Sequence, residues 1–251
     1  MNISFIGTGN VASVLAKACN SKGHIVHQII GRNVEAGTLL AKEVGANFYE
    51  LTSKNIESSE LIIVATSDRS ISDALSSFNF GSTPTVHTAG SVSIDILKNV
   101  SDNYGVLYPL QSLRKEMEAI PCIPFIVEAN NTFTENILVN FAKTISEQVE
   151  IQTEAQRLRL HTAGVIVSNF TNYLYGITEN FCVDEHINFD LLKPLISETA
   201  NRITHLSPKA LQTGPAIRGD IATLDKHLRL LSTYPKLRTL YMRMTDGIMN
   251  P

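Results

Sequence analysis

The sequence predicts an α/β fold, a doubly wound and mostly parallel sheet, followed by an all-helical region. Three observations predict it. Short β-branched runs alternate with segments of helical period through the first half of the chain. The run Leu61-Ile62-Ile63-Val64-Ala65 is uniformly apolar. Strand signals stop near residue 152. Alternating strand and helix signals mean βαβ units, and such units build a parallel sheet. A uniformly apolar run suits a central strand covered on both faces.

In order, strands are expected at residues 2–6, 25–30, 46–49, 61–65, 85–87, 104–108, 123–128 and 149–151, with helices at 10–21, 33–44, 70–77 and 133–146. Thr153-Glu154-Ala155-Gln156 has the form of a capping box, with Thr153 as N-cap and Gln156 reaching back. A long helix should run from there to about Phe181. Further helices are expected at 189–205, 221–231 and 235–247, with a turn at 208–212; Ile221, Leu224, Leu228 and Leu231 recur at helical spacing. The chain therefore divides into residues 1–152, α/β, and 153–251, all-α. Ala163 to Asn169 carry no charge around the whole helix circumference. A helix apolar all round is buried on all sides, so a homodimer built on the helical domain is expected.

The chain has 251 residues, 43% hydrophobic and 18% charged, enough to bury a sizeable core. A formal charge of −3 creates no field favouring nucleic acid or an anionic membrane. Cys19, Cys122 and Cys182 are far apart and odd in number, which reads as buried free thiols in a reducing compartment. No basic leader with a cleavable apolar stretch opens the sequence, and no apolar run approaches ~18 residues. A cytoplasmic protein is expected.

Gly7-Thr8-Gly9-Asn10-Val11-Ala12 forms G-x-G-x-x-A between the first strand and the first helix. That is the dinucleotide-binding turn: Gly7 permits the tight bend, Gly9 a close backbone approach to a pyrophosphate, and Ala12 close helix packing. The anion would rest on the free N–H groups of the helix start. An NAD-type turn places an acid at the end of the second strand to hold the ribose hydroxyl. Here Gly31-Arg32-Asn33 stands instead. A carboxylate would repel a 2′-phosphate, whereas an arginine fork holds it by charge-assisted hydrogen bonds. Arg32, helped by Asn33, points to NADP. Thr66 and Ser67, after the strand at 61–65, should line the nicotinamide side; Asp68 reads as the N-cap of the next helix.

With these pieces placed, the sequence resembles the 6-phosphogluconate-dehydrogenase-like superfamily. Within it the resemblance is to bacterial Rossmann-like NADP oxidoreductases, grouped with deazaflavin-dependent NADP oxidoreductases and pyrroline-carboxylate reductases. It rests on Gly7 to Ala12, Val86-His87-Thr88-Ala89-Gly90-Ser91, Tyr108-Pro109-Leu110-Gln111-Ser112, His161 to Asn169, and Thr213 to Asp220. The resemblance implies a Rossmann domain, a helical dimerisation domain and NADP, and leaves the substrate open.

Hydride transfer needs an oriented acceptor and a proton. His87, at a strand's carboxyl end, is either a cleft donor or a hydrogen-bonded structural histidine. Tyr108 offers a phenol and Gln111 an amide on either side of Pro109. His161 and Asn169 lie about 80° apart on one α-helix, counting ~100° per residue. In β-hydroxyacid dehydrogenase relatives this helix carries a catalytic Lys four residues before an Asn. Aligned on Asn169, Val165 takes the place of that Lys, and His161 is the candidate substitute. Arg218 is the candidate anchor for a substrate carboxylate, with Asp220 a cap for the following helix. No metal-ligand spacing is present. Two functions fit: an NADP-dependent oxidoreductase acting on a small polar or carboxylated metabolite, or a non-catalytic NADP(H) sensor.

Overall fold

The computed structural model describes residues 1–53 and 57–251. The sheet and its helices follow the order β1 (Asn2–Ile6), α1 (Asn10–Ser21), β2 (Ile25–Gly31), α2 (Val34–Val44), β3 (Asn47–Glu50), β4 (Leu61–Val64), α3 (Ile71–Leu75), β5 (Thr85–His87), β6 (Tyr104–Pro109), β7 (Phe125–Ala129), α4 (Thr132–Ile145) and β8 (Val149–Ile151). Then come α5 (Glu154–Gly164), a π-helical stretch (Val165–Phe170), α6 (Thr171–Asp184), α7 (Lys193–Ile203), α8 (Pro208–Leu211), α9 (Ile221–Leu230) and α10 (Pro235–Met249).

Among the described residues one sheet has eight strands in the order β3-β2-β1-β4-β5-β6-β7-β8. All neighbours are parallel except β6 and β7, which run antiparallel with Val106 opposite Glu128. The order reverses between β1 and β4, the topological switch point where α/β sheets open a ligand crevice. Alternating strand residues feed a core on each face. Ile3, Phe5, Val26, Ile29, Leu61 and Ile63 pack with α1, α2 and α4. Ile6, Ile30, Ile62 and Val64 pack with Ile71 and Leu75 of α3. The Thr153–Gln156 capping box forms as expected: the Thr153 hydroxyl accepts from Gln156 N, and Gln156 Oε1 accepts from Thr153 N at 3.0 Å. Residues 68–70 and 189–192 differ from expectation by being 3₁₀ turns, which shorten the helices that follow.

The chain divides into two compact units, Met1–Ser168 and Asn169–Pro251. Strands end at residue 151, but the packing boundary falls later, because Arg157 ties α5 to the sheet. In the second unit only Cys182, Ala216, Leu224 and Leu231 are buried. Phe170, Val183, Leu191, Leu195, Leu206 and Ile221 are each more than half exposed. Cys19 and Cys182 are buried free thiols, and burial pushes the Cys19 thiol up to about 12. Cys122, expected to be buried, is exposed on the loop before β7.

Candidate active site

The loop after β1 turns at Gly7, whose φ of 132° favours glycine. A Cβ there would lie 2.2 Å from the Ala65 carbonyl oxygen at the end of β4. Gly7 N donates to Ile30 O at 2.8 Å, which seals the turn against β2. Gly9 is the N-cap of α1. It supplies no side-chain cap, the first turn holds no acid, and a Cβ on Gly9 would meet nothing within 4 Å. The free N–H groups and positive dipole end of α1 therefore face open space. Gly7, Thr8, Gly9, Gly31, Arg32, Asn33, Thr66 and Ser67 all line one cavity of about 280 Å³ there. An anion-binding helix start with open space over it, and an arginine on the same cavity, fit a phosphorylated dinucleotide.

Two expected contributors differ. The Val11 side chain packs against the core. Asn10 Oδ1 accepts from Lys115 N at 3.2 Å, so that side chain holds the loop after β6. Asn33 lines the cavity and is also the N-cap of α2, with Oδ1 accepting from Ala36 N at 2.9 Å. Arg32 is exposed, with Nη2 3.5 Å from the Ser70 hydroxyl. Asp68 is not a helix cap. Ser67 holds that position, and Asp68 Oδ2 accepts from the Ser91 hydroxyl at 2.9 Å, bridging the loops after β4 and β5.

His87 has the geometry of the second of its two expected readings, a hydrogen-bonded structural histidine. It is fully buried. Nδ1 accepts from Ala89 N at 3.2 Å, and Nε2 donates to Ser93 O at 3.3 Å, so both ring nitrogens are spent on the loop after β5. Burial, and then the Arg157 charge, push its pKa down from 6.5 to about 4. The unfolded chain therefore binds the extra proton first as pH falls. Stability is full above pH 6.5 and declines towards pH 4, by roughly 3 kcal/mol for such a shift. Thermal unfolding of His87→Gln should show a shallower pH dependence than wild type across that interval. An unchanged slope would contradict this assignment.

Tyr108 and His161 come together. The Tyr108 hydroxyl lies 3.0 Å from His161 Nδ1, and the rings meet edge to face at 5.7 Å. Both rest on Gly90. A Cβ on Gly90 would fall 2.5 Å from His161 Nδ1 and 3.0 Å from Tyr108 Cε2. Burial raises the pKa of Tyr108, which keeps the phenol protonated and able to donate at neutral pH. The pair stands at the carboxyl edge of the sheet, as do the loops after β1 and β4.

Residues that sequence reasoning missed lie beneath this pair. Arg157 is fully buried in α5. Its Nη1 donates to Ala89 O at 3.1 Å and Gly90 O at 2.9 Å, while Nη2 and Nε donate to Glu128 Oε2 at 3.0 and 3.3 Å. Glu128 Oε1 also accepts from Glu154 N at 3.0 Å. The available signal was the four-residue spacing of Arg157 and His161, which puts both on one helix face.

One other expected residue of the first unit is not brought into this group. Gln111 is exposed and holds its own loop, with Nε2 donating to Cys122 O and Oε1 accepting from Ser112 N, both at 3.0 Å. Asn169 and Arg218 are exposed residues of the second unit. The expected 80° offset of Asn169 from His161 assumed an α-helix throughout. From Val165 onward the helix is π-helical, where bonds run from i to i+5 and the phase changes. Asp220 caps α9 as expected, accepting from Thr223 N at 3.1 Å and the Thr223 hydroxyl at 2.7 Å; that hydroxyl bond holds its carboxyl below the usual range. No group of three or more His, Cys, Asp or Glu among the described residues could hold a metal ion. No described helix is long and apolar enough to cross a membrane.

Residues 2–98 match the family described as NADP oxidoreductase, coenzyme F420-dependent, and residues 123–248 match a domain of unknown function, DUF2520. A "putative NADP oxidoreductase" of Bacteroides fragilis is 34% identical, with a TM-score of 0.91 over 100% of this chain and 98% of that one. A Thermotoga maritima protein is 22% identical, with a TM-score of 0.83 over 98% and 97%. A 1-pyrroline-5-carboxylate reductase of Streptococcus pyogenes is 15% identical, with a TM-score of 0.66 over 100% and 99%, and shares the fold. No curated protein matches the chain.

Proposed function

This chain belongs to the NADP oxidoreductase family that joins such a cofactor domain to DUF2520, and from that premise we propose that it moves a hydride between NADP and a small polar or carboxylated metabolite. The observation that carries the proposal is the 3.0 Å contact of Tyr108 with His161, on the same sheet edge as the cofactor cavity. NADPH, when bound, supplies the hydride. The residues after β1 would hold the diphosphate at the N-terminus of α1. Arg32 and Asn33 would hold the 2′-phosphate, and Thr66 and Ser67 would border the nicotinamide side. In the reducing direction the Tyr108 hydroxyl gives its proton to the substrate heteroatom, and His161 Nδ1 returns a proton to the phenolate oxygen. In the other direction the same atoms accept it.

Turnover tests this reading. NADPH oxidation is followed at 340 nm with a panel of small carbonyl and imine compounds. Tyr108→Phe and His161→Ala should each lower kcat on any substrate found by about 10²–10⁴-fold, the usual range for a positioned proton donor. NADPH affinity should stay within about twofold. Unchanged turnover in folded His161→Ala would remove the proposal. The departure at Val165 favours the second reading, a sensor that binds NADP(H) without turnover. That reading predicts NADPH binding and no oxidation with any compound.

The helical part, residues 153–251, is the proposed dimerisation and substrate domain, with Arg218 as a substrate anchor. The support is its exposed apolar surface, including Val167 at 72% and Leu191 at 73%. Light scattering at micromolar concentration should give twice the 27.6 kDa of the chain. A monomer would end the dimer proposal.

A further inference from the structure

Arg157 is the only buried residue of α5. A guanidinium keeps its charge in proteins, so burying one is costly unless every donor is met. Here four of the five N–H donors are met, by two consecutive carbonyls, Ala89 O and Gly90 O, and by Glu128 Oε2. Replacing such a pair by apolar packing is often neutral or better for stability. Its presence therefore asks for a use other than stability.

The geometry offers one. The clamped carbonyls belong to the loop that forms the floor under His161 and Tyr108. His161 follows Arg157 by one helical turn and reaches the same loop from above. Contact with Gly90 is so close that one added methyl would displace the imidazole. A small rotation of the Ala89–Gly90 backbone would thus move Nδ1 away from the phenol. We propose that Arg157, with Glu128, is a positioning residue. By fixing two carbonyls it holds the floor on which imidazole and phenol meet, and so sets the Tyr108–His161 hydrogen bond. A lysine ammonium lacks the planar fork needed to hold both carbonyls and the carboxylate together. The consequence for turnover rests on the proton-donor reading above; the geometric claim does not.

The test reads the pair directly. Nitrogen NMR of the ¹⁵N-histidine-labelled protein, with His161 assigned by His161→Gln, reports whether Nδ1 is hydrogen-bonded to the phenol, whichever of the two carries the proton. The Arg157→Gln/Glu128→Gln double variant leaves no uncompensated charge. It should unfold cooperatively and bind NADPH within twofold of wild type. Its His161 Nδ1 signal should move to that of Tyr108→Phe, in which the phenol is absent. Arg157→Lys, which keeps the charge without the fork, should move it the same way. Gly90→Ala should also do so, by displacing the imidazole from the floor. A wild-type His161 signal in a folded double variant would overturn the proposal. Should the double variant fail to fold, a wild-type signal in Gly90→Ala would overturn it. A moved signal with unchanged turnover would leave the positioning role standing and refute the proton-donor reading instead.

Discussion

Arg157→Met is expected to lower stability by about 3–5 kcal/mol, the usual cost of leaving one partner of a buried ion pair uncompensated. For a chain of this size that corresponds to a fall of roughly 6–20 °C in the unfolding midpoint. The loss has two sources. Glu128, whose side chain is 18% exposed, keeps its charge and loses the guanidinium 3.0 Å away. The Ala89 and Gly90 carbonyls lose their donor in a buried setting. Arg157→Met/Glu128→Leu removes both charges and should recover a substantial part of the loss. Exposed pairs offer the contrast. Arg229 and Asp225 sit 2.8 Å apart with side chains 80% and 54% exposed. Breaking that pair should cost less than about 1 kcal/mol. Differential scanning calorimetry on the three variants checks the series. An Arg157→Met midpoint within 2 °C of wild type would contradict the view that this pair ties α5 to the sheet.

Most of the fold was legible because its signals are local. α1 begins and ends where its pattern predicts, at Asn10 and Ser21. Leu61-Ile62-Ile63-Val64 is a central strand with every residue buried. The Thr153 capping box starts α5 as the spacing requires. Where expectation and structure part, a non-local or subtle cause is at work. The stretch at 165–170 has ordinary helical composition, and nothing in its apolar residues announces i to i+5 bonding. The antiparallel pairing of β6 with β7 depends on a loop rather than on strand composition.

The site was legible in part, for the same reason. Glycine requirements show up as glycines, and Gly7, Gly9 and Gly31 do come to one cavity with Arg32. What no pattern could show was where each polar side chain spends its hydrogen bonds. His87 has the residue type and strand position of a catalytic group, yet the two residues that occupy its nitrogens lie in its own loop. Gln111 and Asn10 are likewise used in holding loops. Arg157 was not legible because an arginine in a polar helix, here with Arg159 two residues on, reads as solvated. Its burial comes from Glu128, 29 residues earlier, and from a loop 67 residues away.

The second large effect concerns Arg32. NADP differs from NAD by one phosphate, and this guanidinium is the group we propose for that phosphate. No acid stands at the end of β2 to favour the free ribose hydroxyl. Arg32 lines the cavity with Asn33, is exposed, and among the described residues has Nη2 3.5 Å from the Ser70 hydroxyl, which leaves the guanidinium open to a ligand. A charge-assisted arginine–phosphate contact contributes about 2–3 kcal/mol, or roughly 30–150-fold in affinity. NADH has no phosphate there and should be nearly indifferent to Arg32→Ala. The deciding measurement is calorimetric titration of wild type and Arg32→Ala with both coenzymes. If Arg32 holds the 2′-phosphate, NADPH binding weakens by 30-fold or more in the variant while NADH changes less than about threefold. Equal losses for the two, or no binding heat from NADPH to folded wild type, would contradict it.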